Sequence, residues 1–392
     1  MSFLLNRSPH ILTGAESAPG AGAPLPAAVI ANTTTPVPGG AGNFTFMTYP
    51  LASYGTVAFN GAGKDQPSNL YASTGGRLVL ALQVGTPIPS TGGKFTDFGM
   101  PVPAQQALLF MGNGSLGTSG LYVKSGEILK CIADTNTPVP SGSGNFKSFN
   151  GGIDFDVRGA IAFAATDAAG NQGVYASAFP TGGIAMVANS STPIPGGSGT
   201  FNTFTSPSVS DYGVAFFASR TGSPPAGVGL YLSRNGALNT LANYQTAVPN
   251  TGGTFSGFGA PTIGGSAVAF HAIGSNGSQG IYMWRNGTLS VVADLTTPVP
   301  GGSGTFQVFF NDDPSIDENG NVAFCAGYNN TQYGIFARVN GTLKRIVTTE
   351  DTIGGQRVSY TGTTTNQLSQ GTLAFYVVTG PGVFGNYTLP VG

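Results

Sequence analysis

The chain reads as an all-β, seven-bladed β-propeller with four-stranded blades, in which a strand near the N-terminus closes the C-terminal blade. Three observations lead there: a unit that recurs seven times, four strand-like segments inside each unit, and one unit divided between the two chain ends. Self-similarity at a period of a few tens of residues is the signature of solenoids and propellers, and outweighs the multi-domain expectation that a chain of 392 residues would otherwise raise.

The recurring unit opens on Thr35-Pro36-Val37-Pro38 and returns at Thr86, Thr137, Thr192, Thr246 and Thr297, with a degenerate seventh copy from Thr352. The steps are 51, 51, 55, 54, 51 and 55 residues. Within each unit, short segments rich in β-branched and aromatic residues are bounded by Gly, Pro, Asn or Ser, as strands in an all-β protein are. The first segment carries Phe44, Phe95, Phe146, Phe201, Phe255 or Phe306, with Tyr360 as a looser seventh. The second ends at Phe59, Phe110, Phe163, Phe216, Phe270, Phe324 or Phe375, and the third at Tyr71, Tyr122, Tyr175, Tyr231, Tyr282, Phe336 or Phe384. Turns such as Asn235-Gly236, Asn286-Gly287 and Asn340-Gly341 make the third and fourth segments a hairpin, because Asn-Gly best accepts the two positive-φ positions of a type I′ turn. The seventh unit ends without a fourth segment, and Ala28-Val29-Ile30-Ala31 before the first Thr-Pro-Val-Pro supplies one. A ring splits a blade in this way to close without an open edge, whereas a linear solenoid has no reason to. The expected division is an N-terminal arm and linker over 1–24 and a propeller over 25–392.

Composition narrows the function classes. Charged residues are 8% of the chain and the net charge is −1, so no basic face exists for nucleic acid. No apolar run is long enough for a membrane-spanning helix, and the start, with only Phe3-Leu4-Leu5 as an apolar stretch, has no secretory signal of the usual kind. Cys131 and Cys325 stand at non-corresponding places in different repeats, which speaks against a disulfide or a metal pair and for two buried small hydrophobes. Ten Asn-x-Ser/Thr sequons are present, and the composition explains their number.

The segments Asp317-Glu318-Asn319-Gly320-Asn321-Val322-Ala323-Phe324 and Asp156-Val157-Arg158-Gly159-Ala160-Ile161-Ala162-Phe163, with the Thr-Pro-Val-Pro-Gly-Gly-Ser-Gly-Thr-Phe linkers, carry a resemblance. The chain resembles bacterial secreted tandem-repeat surface proteins, variably anchored, with an Asn-x-x-Gly-x-x-x-Ala-Phe type repeat. That resemblance implies an extracellular or cell-surface propeller; copies such as Gln105-Gln106-Ala107-Leu108-Leu109-Phe110 depart from the repeat.

Candidate site residues are few. Asp312, Asp313 and Asp317 form the densest acidic stretch and are the candidates for a metal ion, against the simpler reading of a solvated loop; they lack the Asp-x-Asp-x-Asp-Gly pattern of a calcium loop. His271 follows a core Phe, where other repeats carry Asn60, Met111, Ala164, Phe217, Cys325 and Tyr376, so packing is its expected role rather than catalysis. Trp284, the single tryptophan, is either a blade-corner packing residue or an exposed platform for a sugar or partner. Phe3, Leu4, Leu5, Ile11 and Leu12 make the arm apolar, which suits docking on a second copy. No cofactor and no catalytic residue are indicated. The functional expectation is a non-enzymatic structural protein that self-assembles into a filament or layer, then a glycan- or ligand-binding module, then a hydrolase or lyase with carboxylates in the channel.

Overall fold

The structure, a computed structural model, describes residues 24–391 apart from 90, 143, 150, 221–226 and 311. Seven antiparallel sheets follow one another along the chain, and each is one blade. Blade 1 runs from Phe44–Met47 through Thr56–Gly63 and Asn69–Thr74 to Arg77–Leu82. Blades 2 to 6 repeat that order over 95–134, 146–189, 203–243, 255–294 and 308–348. Blade 7 is completed by Ala28–Asn32, which pairs antiparallel with Val383–Pro390 in the register Ala28 to Thr388 and Asn32 to Gly385. The ring is thus closed by the strand the sequence placed there.

The repeated residues have distinct jobs. In blade 1, Phe44 meets Tyr71 edge-on at 5.0 Å while Phe59 stacks on Tyr71 at 5.8 Å. The same triad recurs in blades 2, 3, 5 and 6, and such edge-to-face pairs add to the area they bury. The apolar residue before the last proline of this tetrapeptide is a plug: Val37, Ile88, Val139, Ile194, Val248 and Val299 are all buried. The Thr before it closes the turn that leaves the fourth strand. Thr137 Oγ1 donates to Asp134 Oδ1 at 3.0 Å and accepts from the Asp134 amide at 2.9 Å, and Thr297 does the same with Asp294. Asn235, Asn286 and Asn340 have φ near 50° and their glycines lie at positive φ too, as the type I′ hairpins require.

Blade 7 corrects two sequence assignments. The third-strand aromatic opposite Phe375 is Tyr387, stacked at 6.2 Å, and not Phe384, which pairs with Val378. The first-strand core position is held by Val358, whose amide donates to the Asp351 carbonyl as Phe255 does to Thr246. Tyr360 lies two residues further on and points elsewhere. Cys325 is buried as expected, but Cys131 is only half-buried; both are free thiols.

Candidate functional site

Six of the seven first strands break in mid-course, and the seventh, in blade 4, shifts register between Thr205 and Ser208. Several of the breaks carry a proline, which has no N–H to continue the ladder, as at Pro50, Pro101 and Pro261. Below it, the short pieces Leu51–Ser53, Val102–Ala104, Ile153–Phe155, Thr262–Gly264, Ser315–Ile316 and Leu368–Ser369 touch their neighbours all the way round, with 203–210 of blade 4 completing the circle. Above it, the pieces in blades 2, 6 and 7 touch the third strand of the preceding blade instead. The axial channel is therefore tight below the breaks and opens into a mouth above them.

The tight part is bridged across the axis. Asn366 of blade 7 donates through Nδ2 to Asp154 Oδ1 of blade 3, on the opposite side of the ring, at 2.6 Å. The other Asp154 oxygen accepts from the Ser208 hydroxyl at 2.8 Å and the Val209 amide at 2.7 Å. Ser208 in turn accepts from the Ile263 amide, while Ser315 Oγ accepts from the amides of Gln367 and Leu368. Burial pushes the Asp154 carboxyl above its ordinary range, against the pull of these donors.

Around the mouth, blades 6, 7 and 1 supply a continuous run of aromatic rings. Phe310 meets Tyr333 at 5.7 Å, Tyr333 meets Tyr360 at 6.1 Å, Tyr360 meets Tyr376 at 6.5 Å, and Tyr376 meets Tyr49 at 5.4 Å. Phe310 is 36% exposed and the four tyrosines are half-buried, so the run is not part of the sealed inter-blade core. The hydroxyls of Tyr49 and Tyr360 share a hydrogen bond of 2.5 Å. Gly362 shows how these groups converge: a Cβ placed on it would stand 3.0 Å from Tyr49 Oη, 3.2 Å from Asp312 Oδ2 and 3.3 Å from Tyr360 Oη. Burial first, then the neighbouring Tyr360 and Asp312, push the Tyr49 phenol far above its usual value; burial and Tyr360 push Tyr376 up to about 12. Asp312 is the one carboxylate among the groups that raise Tyr49.

The residues singled out from sequence fall in different places. Asp312 joins the tyrosine cluster, whereas Asp313 Oδ1 accepts from the Ala260 amide at 2.8 Å and ties blade 6 to blade 5. Asp317 is a turn-closing residue: it accepts from the Asn319 and Asn321 amides and from Asn321 Nδ2. Among the described residues, no three His, Cys, Asp or Glu side chains are grouped as a metal site would need. His271 is buried, its Nε2 has no hydrogen-bond partner, and burial lowers its pKa to about 4. Trp284 is half-buried against the core shared by blades 4 and 5, opposite Val268 and Leu289. Phe3, Leu4, Leu5, Ile11 and Leu12 lie outside the described residues. Sequence reasoning passed over Tyr49 and Tyr333, and took Tyr360 as a core aromatic and Tyr376 as a packing position. A signal existed for one: Tyr376 stands at the place after the core Phe, where the other blades carry Asn60, Met111, Ala164, Phe217, His271 and Cys325 and none carries a phenol.

The family described as "Family of unknown function (DUF7453)" matches residues 21–243 and 214–389, which together take in nearly the whole chain. No curated protein matches by sequence. Among solved structures, the β-propeller domain of the Trilobed protease from Pyrococcus furiosus is similar at a TM-score of 0.51 and 10% identity, over 85% of this chain and 91% of that one. A chain from a study of two prolyl endopeptidases is similar at 0.51 and 12%, over 88% of this chain and 48% of that one. TolB from Acinetobacter baumannii gives 0.41 and 13%, over 75% and 61%. The chain thus spans about three fifths of that TolB and about half of the endopeptidase. The two likenesses at a TM-score of 0.51 show the propeller fold.

Proposed function

The chain belongs to this DUF7453 family, and we propose that it is a non-catalytic ligand-binding propeller that holds a hydroxyl-rich ligand, a glycan, at the channel mouth of blades 6, 7 and 1. The observation that carries the reading is the run of half-exposed rings from Phe310 to Tyr49 with Asp312 beside it. Aromatic faces stack on the C–H faces of sugars, and a carboxylate with phenol oxygens accepts from sugar hydroxyls; a mouth of mostly apolar lining with a few convergent polar groups is what a ligand site needs. The test is a glycan array probed with the labelled protein and with Tyr376→Ala and Tyr49→Ala. Binding that disappears in both variants while their melting temperatures stay near that of the parent supports the reading. A blank array, or variants that bind as the parent does, refutes it.

Self-association is a second reading, favoured by a different surface. Val29, Val79, Ile128 and Met186 are large exposed hydrophobics on the outer strands of four consecutive blades, 7, 1, 2 and 3, with 53% and 61% exposure for Val29 and Ile128. Among the described residues, the outer strands of blades 4 to 6 expose none. Outer strands also present unpaired backbone, which natural sheets usually guard with charge. Light scattering over a concentration series, with Val29→Ser and Ile128→Ser together, checks this: the parent is expected to grow in mass with concentration and the double variant to stay monomeric.

A further inference from the structure

Outside the mouth, a cavity of about 350 Å3 lies in the seam where the split blade meets blade 1. We propose that it is a second ligand site and that it takes a sugar acid, a pyranose ring bearing a carboxylate; this is independent of the mouth reading above. From blade 7 the lining takes Thr33, just past the closing strand, and Phe384; from the blade 1 side it takes Asn43, Phe44, Thr45 and Lys64. The cavity has a cause in the sequence. In blades 2, 3 and 5 the residue that follows the second strand, Ser115, Ala168 or Ser275, donates its amide to the carbonyl of the residue before the first-strand Phe, Lys94, Asn145 or Thr254, at 2.8–3.1 Å. The Ser115 and Ser275 hydroxyls accept the amides of Lys94 and Thr254 in return. Blade 1 has Lys64 at that place and Asn43 opposite, and no such bond joins them. Its loop is fastened farther along, by Gln66 Nε2 donating to the Ala41 carbonyl at 2.6 Å, and a Cβ on Gly42 or Gly382 would meet nothing within 4 Å.

The lining sets the chemistry. Among the described residues Lys64 has no ion-pair or hydrogen-bond partner, Asp65 beside it in the chain included, and no other charged residue lines the cavity. An ammonium is a compact charge with three donors, which an anion satisfies. The turn that enters this seam is closed by the neutral Asn32, where those after blades 2 and 5 use Asp134 and Asp294, so no carboxylate of that turn opposes an anion here. A bare anion would leave the remaining groups idle. The Asn43 side chain makes no hydrogen bond among the described residues, Thr33 and Thr45 bring hydroxyls, and the half-buried Phe384 offers apolar surface for the C–H face of a ring. The volume is at the small end of ligand sites, which run from about 300 to 1,000 Å3, and suits one sugar ring rather than a chain. Because the walls belong to the two blades that the closing strand joins, an occupant ties blade 7 to blade 1.

The experiment is calorimetric titration of the full chain in low salt at about pH 7, where ammonium and carboxylate groups are both charged. The probes are galacturonate, galactose and inorganic sulfate. Galacturonate is expected to bind about tenfold tighter than galactose and tighter than sulfate, and its margin over galactose is expected to shrink as salt is raised. Lys64→Gln is expected to bring galacturonate and galactose to within about twofold of each other, while Lys64→Arg keeps most of the preference. Saturating galacturonate is expected to raise the melting temperature of the parent and not that of Lys64→Gln. Tyr49→Ala, at the mouth and outside the cavity lining, is expected to leave galacturonate binding unchanged, so a failure of the mouth reading does not touch this site. Equal binding of galactose and galacturonate, sulfate as tight as galacturonate, or a preference that survives Lys64→Gln overturns the proposal. So does galacturonate binding that is lost in Tyr49→Ala and kept in Lys64→Gln, which would place the acid at the mouth. Silence from all three probes overturns it as well.

Discussion

The breaks in the first strands of blades 2 and 3 and those of blades 6, 7 and 1 occupy the same places in the repeat but are built from different residues. On one side they are glycine-lined and closed over by neighbours: a Cβ on Gly99 would stand 3.3 Å from that of Met111, and one on Gly151 only 2.5 Å from that of Ala164. On the other side Tyr49, Asp312, Tyr360 and Tyr376 gather, and oxygen atoms rather than methyls face Gly362. One half of the ring spends the break on close packing and the other on a chemically furnished opening. The lesson is that a repeat fold can carry a site without altering its scaffold, by changing the residues at the one place in each blade where the ladder is interrupted.

The comparison implies that scaffold changes cost stability while changes at the mouth cost binding. The largest effect is expected from removing residues 1–34, which deletes the pairing of Ala28–Asn32 with blade 7 and strips the buried Ala31 from the seam between blades 7 and 1. An opened edge and an unpacked blade are expected to abolish the cooperative melt seen by circular dichroism; a melting temperature equal to the parent's would mean that the ring does not depend on that strand. Next in size is Phe270→Ala, a side chain with no exposure at the centre of the blade 5 triad, for which a loss of about 3–5 kcal/mol in denaturant melts is expected. Tyr376→Ala, half-exposed, is expected to cost clearly less in the same measurement, and a loss as large as that of Phe270→Ala would show that the mouth is core after all.

Two buried titratable groups sharpen the contrast by acting in opposite directions. His271 has its pKa lowered from 6.5 to about 4, so the neutral form is favoured in the folded chain. Its stabilising effect is present above pH 6.5 and is lost as pH falls from there towards 4. Asp154 has its pKa raised above 3.8, so the folded chain favours the protonated form, and stability on its account is full below pH 3.8 and declines as pH rises through the folded value. Replacing His271 with Met, as at the matching Met111, is expected to flatten the acid limb of the melting-temperature profile and to leave glycan binding unchanged. Asp154→Asn is expected to gain stability relative to the parent as pH rises. A variant whose difference from the parent does not vary with pH would show that the group titrates as it does in the unfolded chain.

How much of this could be read beforehand follows from what repeats and what does not. The Asn-Gly hairpins and the aromatic triads repeat, and they were legible because a packing problem met again in blade after blade is solved the same way; the split blade was legible because that repeat is interrupted at the two chain ends. The site resides in single-copy residues at the breaks, which a search for recurrence discards by design. Tyr360 shows the mechanism of the error: it stood near enough to the first-strand position to be counted as a core aromatic, although Val358 fills that place. Asp312 was noticed as part of an acidic stretch, but its neighbours in sequence are not its neighbours in space; the tyrosines beside it come from blades 7 and 1.

The smallest expected effect concerns Trp284, and it separates the two ends of the channel. Trp284 pairs with Val268 and Leu289 in blade 5, at the end of the sheet that carries the Gly264-Gly265 turn rather than the break at Gly259. The mouth lies at the other end of those strands and across blades 6, 7 and 1. Because Trp284 is the single tryptophan, selectively excited fluorescence reports on that corner alone. Global unfolding is expected to shift its emission to the red, as its half-buried ring leaves the core shared with Leu289 for water. Saturation with a glycan that binds at the mouth is expected to leave the emission unchanged, while Trp284→Ala costs about 1–2 kcal/mol in packing and nothing in affinity. A ligand that instead shifts or quenches the tryptophan emission without changing the melting curve would place the binding site at the blade corner, and the tyrosine run would then be packing that happens to face the channel.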